Sequence, residues 1–453
     1  MNFRLTPFLF SLILFFQIGE STERPNIVFI IADDMGYADI SSFGAPDVET
    51  PHIDGIAKRG VRFTNIYAMG PECTPSRVSF LTGRYPQRVG GLECAIGTGN
   101  VGRYDDAIRL AEAKDLGLPA EYAILAPALA KAGYHNGIFG KWHLGYEPKF
   151  SPLKQGFHDF TGFLGGNVDY FRHRELSDLE VYLEGETPIT REGYTTDLIT
   201  EDALEFLAER AMQPDQPFFL YLPHAAPHFP FQGPEDDDGG LPSVEEWTTG
   251  TRETYIEMMK SLDDSVGAVI DALEKHGQLS NTLLIFTSDH GAMKPGLNLP
   301  WRDFKGTLFD GGIRVPLVMQ WPEKLEAGLE SAQVGSLMDL TASFLNAAGA
   351  RLPQGVTLDG DDLVEHVQSG AKDYSRTLFW RSRRGERTWR AVRDGEWKYI
   401  LRIDEDGTSE WLFDLASDPG EQESQLDTEK GKAIVDGLRN ELDAWEARVA
   451  PQR

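Results

Sequence analysis

The chain has 453 residues, enough for one large domain with or without a smaller one, and its 41% hydrophobic and 25% charged residues are ordinary for a soluble globular protein. Its 71 acidic residues exceed its 43 basic ones and give a net charge of −28. This balance argues against non-specific nucleic-acid binding, and it means that an anionic substrate needs a local basic pocket to attract it.

The first predicted element is a short apolar run, residues 5–18, which follows a positively charged start at Arg4. The run is too short to span a membrane and polar residues follow it at once, as is typical of a cleaved secretory signal. We predict a signal peptide over residues 1–21 and a secreted or periplasmic protein, with a retained N-terminal anchor as the alternative. No later apolar stretch approaches the length of a membrane span, so stable membrane insertion is not expected.

Apolar runs that end in polar residues recur along the chain and are typical of buried parallel strands. They cover residues 26–34, 137–141, 218–222 and 283–290. Segments with the helical spacing of apolar residues, such as 256–273, alternate with these runs. The alternation predicts an α/β fold with a mostly parallel central sheet sandwiched by helices, which we assign to residues 22–369.

Acidic residues lie at the ends of two of these runs. Asp33 and Asp34 close the first run, and Asp289 lies at the end of the last. Because functional residues collect at the carboxyl ends of parallel strands, these carboxylates can converge on one hard cation, and calcium suits such oxygen ligands. Adjacent acids at a strand end can also be solvated turns or helix caps, and this alternative stays open on these residues alone.

The sequence changes character near residue 370. Three short segments alternate apolar and polar residues as antiparallel strands do: 377–380, 389–393 and 397–401. The turn signal Asp394-Gly395 separates the last two of them. An amphipathic helix is predicted over residues 430–449. We therefore assign residues 370–453 to a smaller C-terminal α+β subdomain.

The two cysteines, Cys73 and Cys94, would form a disulfide by default in an exported protein. Cys73, however, opens the segment Cys-Thr-Pro-Ser-Arg-Val-Ser-Phe-Leu-Thr-Gly-Arg, residues 73–84. At every specified position this segment resembles the signature of the type I sulfatases, the formylglycine-dependent arylsulfatase-like family of the alkaline-phosphatase-like superfamily. The resemblance implies that a formylglycine-generating enzyme oxidises Cys73 to formylglycine (3-oxoalanine), which leaves Cys94 as a lone thiol. An ordinary buried thiol is the alternative for Cys73.

The chemistry of that family explains the need for an aldehyde. The hydrate of formylglycine is a geminal diol, and one of its hydroxyls attacks the sulfur atom. A serine sulfate would be a stable ester, whereas the hydrate expels sulfate by returning to the aldehyde without attack by water. The implied reaction is hydrolysis of a sulfate ester by cleavage of the S–O bond.

The resemblance extends over nearly the whole chain after the predicted signal. Further segments similar to the family's, in the family's order, are residues 26–34, 50–54, 140–145, 287–291 and 305–316, with a closing motif within 412–421. They imply the alkaline-phosphatase-like α/β fold. Residues 93–121 are longer than this spacing leads us to expect, and we predict that they form a variable loop over the site.

The resemblance also implies a metal site. The family's calcium ligands correspond to Asp33, Asp34, Asp289 and His290, and the oxygen derived from Cys73 completes the set. Many members of the family carry asparagine at the position of His290, and imidazole is a less natural ligand for calcium than oxygen is.

Three basic side chains are implied to act around residue 73. Arg77 would pair with the formylglycine hydroxyl and orient it. Lys141 and Lys305 would hold the sulfate oxygens and stabilise the charge that develops on them.

Two histidines are implied to transfer protons. His143, two residues after Lys141 and so on the same side of an extended segment, would take a proton from the second hydroxyl. His228 would protonate the leaving alcohol. His224, which directly follows a predicted strand, competes with His228 for this role.

A basic island lies near the C-terminus of this acidic chain. Its cations and the acids among them are Arg381, Arg383, Arg384, Arg387, Arg390, Arg393 and Lys398 against Glu386, Asp394 and Glu396. Arginine forks suit sulfate or carboxylate groups on neighbouring sugars, so we predict substrate contacts from Arg384 and Arg387 and a sulfated carbohydrate as substrate. A solvated strand face is the alternative. Trp380, Trp389 and Trp397 can stack on sugars or form the core of a small sheet.

Two rival functions stay open on the sequence. The first is a phosphodiester or phosphonate monoester hydrolase of the same superfamily, some members of which also use formylglycine. The second is a non-catalytic glycan-binding protein on a sulfatase scaffold, against which the intact acids, lysines and histidines argue.

Overall fold

The computed structural model describes residues 24–177, 182–236 and 240–451. The predicted signal peptide, residues 1–21, lies outside these residues. The described chain forms a large sheet covered by helices on both faces and a smaller sheet near the C-terminus.

The larger sheet carries the first part of the chain. Its strands in the described residues are β1 (Asn26–Ala32), β2 (Val61–Tyr67), β3 (His135–Lys141), β4 (Asp159–Phe163), β5 (Tyr182–Glu184), β6 (Thr187–Pro188), β7 (Phe218–Pro223), β8 (Thr282–Ser288), β9 (Arg314–Gln320), β10 (Leu329–Ser331) and β11 (Gly335–Ser336). Their spatial order is β10-β2-β9-β8-β1-β7-β3-β4-β5-β6, and β11 pairs with β2.

The centre of this sheet is parallel. Strand β1 pairs in parallel with β8 on one side and with β7 on the other, and β3 is parallel to both β7 and β4. Strand β9 is antiparallel to both of its neighbours, β2 and β8. At the other edge of the sheet, β5 is antiparallel to β4 and to β6. The predicted mostly parallel α/β sheet is therefore confirmed.

Helices cover both faces of the sheet, because its central strands are apolar on both sides. Ile27, Phe29 and Ile31 pack into one apolar core, and the alternate residues Val28 and Ile30 pack into the other. The helices are α1 (Pro51–Arg59), α2 (Cys73–Thr82), α3 (Asp105–Glu112), α4 (Leu125–Lys131), α5 (Thr195–Ala211), α6 (Arg252–Lys275), α7 (Asp310–Ile313), α8 (Met338–Ala347), α9 (Leu363–Gln368) and α10 (Glu429–Val449). Helices α2, α4 and α8 contribute to the first core, and α1, α5 and α6 contribute to the second.

The smaller sheet is antiparallel and follows chain order. Its strands are β12 (Thr377–Arg384), β13 (Arg387–Asp394), β14 (Trp397–Asp404) and β15 (Gly407–Asp414). Helix α10 packs against this sheet through a third apolar core. The sequence indicated the first three strands and the helix, whereas it did not indicate β15.

Buried polar contacts join the smaller sheet to the larger one. The Trp380 indole donates a hydrogen bond to the Ala68 carbonyl over 2.8 Å. The Lys398 ammonium is fully buried and lies 2.5 Å from Asp310 and 2.7 Å from Glu421. Lys398 is therefore neither a substrate contact nor part of a solvated strand face, the two alternatives for the basic island. It forms buried ion pairs that join the two sheets.

Candidate active site

The candidate active site lies at the carboxyl edge of the central strands. Ala32 and Ser288 are register partners in β1 and β8, so the residues that follow them, Asp33 and Asp289, leave the sheet side by side. The Asp289 amide donates a hydrogen bond to the Ala32 carbonyl over 3.1 Å. Strand β3, two places along the sheet, ends at Lys141. The parallel topology thus places two acidic residues and one lysine at the same edge of the sheet.

The predicted metal ligands are brought together there. Potential ligand atoms of Asp33, Cys73, Asp289 and His290 all lie within 4.8 Å of one another, and all four residues are buried. The Asp34 backbone has a φ of 61°, a strained value for a residue other than glycine, and its amide donates to Asp289 over 3.3 Å. Three carboxylates therefore lie in one buried corner, and their oxygens are the hard ligands that suit a bound calcium ion.

The orientation of the His290 ring leaves one nitrogen for this cluster. Its Nδ1 lies 3.0 Å from the Gly291 carbonyl, which can only accept, so Nδ1 carries the proton. Its Nε2 lies 3.4 Å from Asp289 and 3.3 Å from the Cys73 sulfur. Burial lowers the pKa of His290, but Asp289 and Cys73 raise it to about 9. The nearby acidic groups thus favour the protonated form of the imidazole, with its second proton on Nε2.

Cys73 is the first residue of helix α2 and is buried at the centre of the cluster. Its sulfur lies 3.3 Å from the Lys141 ammonium, 3.7 Å from that of Lys305 and 3.4 Å from an Asp33 oxygen. Burial raises the pKa of the thiol, but Lys141, Lys305 and His290 lower it well below its usual value. A negative charge on the side chain of residue 73 is therefore stabilised at this position.

Arg77 lies one turn further along α2 and is fully buried. Its guanidinium binds Asp289 at 3.1 Å, donates to the Lys141 carbonyl over 3.0 Å and lies 3.8 Å from Asp33. It also donates to the Tyr221 hydroxyl over 3.4 Å. Among the described residues, the hydrogen bonds and ion pairs of Arg77 therefore go to the acids, to the end of β3 and to Tyr221, and not to the Cys73 thiol. Arg77 compensates the charge of two predicted metal ligands.

The two predicted sulfate-binding lysines lie on opposite sides of the Cys73 sulfur. Lys141 is fully buried and forms an ion pair with Asp33 beneath the sulfur. Lys305 binds both oxygens of Asp34, at 2.7 and 2.9 Å, and faces an open cavity. Only Lys305 of this pair lines that cavity.

His143 reaches the cavity by a different route from the one predicted. Strand β3 ends at Lys141, and His143 has a φ of 58°, so an extended segment does not explain its placement. Its Nε2 lies 2.9 Å from the Ile96 carbonyl and must carry the proton there. Its Nδ1 is buried and has no hydrogen-bond partner in the described part of the chain. Burial lowers the pKa of His143 to about 4, so the imidazole is neutral and able to accept a proton.

His228 lies on the cavity wall, and His224 does not. Nδ1 of His228 lies 2.7 Å from the Phe229 carbonyl, and its Nε2 lies 3.2 Å from the Lys305 ammonium. His224 is fully buried, contacts the Ser265 hydroxyl at 3.2 Å, and has a pKa lowered to about 3 by burial. Of these two histidines, only His228 lines the cavity.

A cavity of about 450 Å³ opens above Cys73. It is lined by Glu72, Cys73, Ala95, Ile96, Thr98, Arg103, His143, Gly166, Asn167, His228, Phe229, Thr248, Met293, Lys305, Gly306, Thr307, Ser382, Arg384, Arg387 and Trp389. Its volume lies within the range of small-molecule sites and exceeds what a single sulfate group fills.

Comparison with known proteins identifies the family. The sulfatase family model matches residues 25–350, and a model of the N-sulphoglucosamine sulphohydrolase C-terminal region matches residues 300–448. The chain belongs to the sulfatase family. Sulfatases are sulfuric ester hydrolases, and the predicted resemblance is confirmed.

The similarity to individual sulfatases covers much of the chain. Mouse (Mus musculus) N-acetylgalactosamine-6-sulfatase is 35% identical over 366 residues, which are 77% of this chain and 67% of that protein. Human (Homo sapiens) arylsulfatase A is 31% identical and covers 92% of this chain, which spans 86% of it. A crystal structure of Ps i-CgsB in complex with k-i-k-neocarrahexaose has a TM-score of 0.80 and 30% identity to this chain, and the alignment covers 93% of this chain and 92% of the Ps i-CgsB chain. The chain described here spans about two thirds of the length of the mouse relative.

Only some residues of the basic island of this sulfatase line the cavity. Arg381 and Arg383 bind Glu93 at 2.7 and 3.0 Å, and Arg390 binds Glu446 at 2.7 Å. The two predicted substrate contacts, Arg384 and Arg387, line the cavity. The tryptophans divide in the same way, since Trp380 is fully buried and Trp389 lines the cavity.

Sequence reasoning missed several cavity residues of the sulfatase. Thr98 and Arg103 belong to the long segment 93–121, whose length signalled a loop over the site without indicating these side chains. Asn167 accepts a hydrogen bond from the Trp247 indole over 3.1 Å, and nothing in its sequence context marks it.

Cys94 is buried and not bonded to Cys73. No helix among the described residues combines the length and apolar character needed to cross a membrane.

Proposed function

We propose that this sulfatase hydrolyses sulfate esters of carbohydrates, with formylglycine derived from Cys73 as the source of the nucleophile. The observation that carries the proposal is the position of the Cys73 sulfur. It lies on the floor of the cavity, 3.3 Å from Lys141 and 3.7 Å from Lys305, at a point that stabilises negative charge. An oxygen attached at the same carbon would occupy this electropositive position.

The modification itself requires a partner during maturation. A formylglycine-generating enzyme would act on residues 73–77, which carry the Cys-Thr-Pro-Ser-Arg core of the signature. When hydrated, formylglycine supplies a hydroxyl that attacks sulfur and a second hydroxyl whose deprotonation releases sulfate. The buried position of Cys73 in the folded chain fits modification before folding.

The residues around Cys73 also fit a calcium ion. Asp33, Asp34 and Asp289 offer the hard oxygen ligands that calcium prefers, and His290 directs its Nε2 at the same point, where a bound cation would replace the proton on this nitrogen. Bound there, calcium would neutralise sulfate charge and polarise the nucleophile. Arg77, which compensates Asp33 and Asp289 from the opposite side, keeps these acids oriented.

The remaining side chains provide charge and proton transfer. Lys305 lies at the cavity surface, where its ammonium meets sulfate oxygens, and Lys141 adds positive charge from below. His143 is neutral, with Nδ1 free to take a proton from a hydroxyl of residue 73. His228 holds its Nε2 towards the cavity beside Lys305 and, once protonated at this nitrogen, gives that proton to the leaving alcohol.

The proposed substrate is a sulfated carbohydrate that meets a secreted or periplasmic enzyme. The names of two relatives support this class, one an N-acetylgalactosamine-6-sulfatase and the other bound to k-i-k-neocarrahexaose. Arg384 and Arg387 on the cavity wall are proposed to contact this substrate, and Trp389 beside them offers a ring for sugar stacking. Residues 22–369 would form the catalytic unit and residues 370–453 the subdomain that supplies this wall.

Turnover of matched aryl esters tests the proposal. An aryl sulfate should be hydrolysed with a higher kcat/KM than the corresponding aryl phosphodiester. Preference for the phosphodiester would favour the rival phosphodiester or phosphonate monoester hydrolase. Inactivity of protein verified to carry formylglycine would favour a glycan-binding protein.

A further inference from the structure

Two arginines on the cavity wall have no acidic partner among the described residues. Arg103 and Arg387 line the cavity, and neither forms an ion pair within 4.0 Å with an acid among the residues that the structure describes. We call these two residues the arginine pair. Arg384, which is also proposed to contact the substrate, differs from this pair because it binds Glu72 at 3.0 Å.

One backbone contact ties the two arginines together. Arg387 begins β13, directly after the two-residue turn that starts at Gly385, and the Gly385 amide donates a hydrogen bond to the Arg103 carbonyl over 2.6 Å. Arg383 strengthens this junction, because its guanidinium lies over the Tyr104 ring at 4.4 Å. The long loop and the tip of the β12–β13 hairpin therefore form one wall of the cavity.

The charge distribution of this wall is unusual for the chain. Arg384 and Arg387 are register partners, so two like charges lie opposite each other across the hairpin, an arrangement that destabilises a sheet. Glu72 is the only acidic side chain that lines the cavity among the described residues, and Arg384 already binds it. In a chain with a net charge of −28, the arginine pair is left with unpaired positive charge in a concave site.

We propose that the arginine pair binds a second anionic group of the substrate, separate from the sulfate that is cleaved. The cleaved sulfate is assigned to Cys73 and Lys305, and the cavity of about 450 Å³ has room for a larger ligand. Guanidinium forks bind sulfate and carboxylate with the same paired geometry. The substrate class is therefore a saccharide that carries a sulfate or a carboxylate near the scissile sulfate. This inference rests on the proposed sulfatase reaction.

Steady-state kinetics on three disaccharides of the same sugars test the inference. One carries the scissile sulfate alone, one carries a second sulfate, and one carries a carboxylate in its place. Wild-type protein should show a kcat/KM about 10-fold or more higher for at least one doubly charged disaccharide, since hydrogen bonds to charged groups are stronger than those between neutral groups. The disaccharide with the larger increase identifies the second group.

Substitution of the arginine pair should remove this preference. Arg103→Gln and Arg387→Gln should each lower the ratio of kcat/KM for the doubly charged to the singly charged disaccharide by about 10-fold, mainly through KM. Arg109→Gln is the matched control, because Arg109 lies in the same long segment, is exposed and does not line the cavity. It should leave the ratio at the wild-type value.

The outcomes separate the two proposals. No turnover of any disaccharide or aryl sulfate would contradict the sulfatase reaction itself. Turnover without a preference for a second charge, or a ratio unchanged in both arginine variants, would overturn the inference alone. An equal loss on singly and doubly charged disaccharides would show a structural role for the arginines and would also overturn it.

Discussion

Two buried clusters of lysines and carboxylates lie within the described part of the chain, and one of these two has the features of an active site. In the cluster around Cys73, Lys141 and Lys305 meet Asp33 and Asp34 beneath an open cavity. The other cluster lies between the two sheets. Its members are Lys398, Asp310 and Glu421, all fully buried and none of them lining that cavity.

The difference between them lies in geometry and not in burial. Lys398 holds the pKa of Asp310 at about 2, although burial opposes this, and burial raises the pKa of Glu421 to about 7. Strong pKa shifts therefore also occur in a cluster that does not line the cavity above Cys73. The Cys73 cluster differs because it lies at the ends of parallel strands and carries a potential nucleophile. Shifted pKa values identify a functional site only when the shifted groups are also accessible to a substrate.

The largest predicted effect is at the nucleophile. Cys73→Ala should lower aryl sulfate turnover by at least about 10⁴-fold, because no hydroxyl can then form at this position. The melting temperature should change little, since the substitution is small. Cys94→Ala serves as control and should retain turnover, as Cys94 is a buried thiol outside the cavity lining. Activity that survives in Cys73→Ala would place the reaction elsewhere.

A smaller loss is expected when one acid of the cluster is neutralised. Asp289→Asn should lower turnover by at least about 10²-fold and weaken calcium binding, because a carboxylate partner of Arg77 and a proposed ligand are lost together. Isothermal titration with calcium and kinetic assays check both effects. Unchanged calcium affinity would exclude Asp289 as a ligand.

Removal of the metal should act on the same cluster reversibly. Treatment with a chelator should lower turnover by about 10-fold or more, and added calcium should restore it, because the bound ion would neutralise sulfate charge and polarise the nucleophile. Metal analysis should find one calcium ion per chain. Two zinc ions per chain would indicate a phosphatase-type site instead.

The second cluster should show the opposite behaviour. Lys398→Met leaves Asp310 and Glu421 without their buried cation, and we expect a loss of about 3 kcal/mol in the free energy of unfolding. Turnover measured well below the melting temperature should stay close to wild type. Denaturant unfolding and aryl sulfate kinetics on the same sample check this contrast. A loss of turnover without a loss of stability would contradict the division between the clusters.

The sequence predicted those parts of the site that follow from sheet topology and from local motifs. Asp33 and Asp289 end neighbouring parallel strands, so their convergence follows once the sheet is recognised. Cys73 and Arg77 lie within one motif on one helix. The confirmed fold class rests on the same periodic pattern of apolar runs.

Contacts between segments far apart in the chain could not be predicted in this way. The pairing of Arg384 with Glu72 depends on how a hairpin tip packs against a loop 312 residues away in sequence. Arg103 reaches the cavity from an irregular segment that has no periodicity, and Lys398 faces the interior although its neighbours suggested an exposed basic strand. Tertiary packing, which local patterns do not encode, decides each of these positions.

The most direct test of the central claim is peptide mass analysis of active protein from a host that makes formylglycine. The peptide that contains residue 73 should carry formylglycine, and the modified fraction should rise in proportion to specific activity across preparations. Cys94 should be found as a free thiol. Full activity in protein that contains only unmodified Cys73, or a disulfide between Cys73 and Cys94 in active protein, would contradict the account.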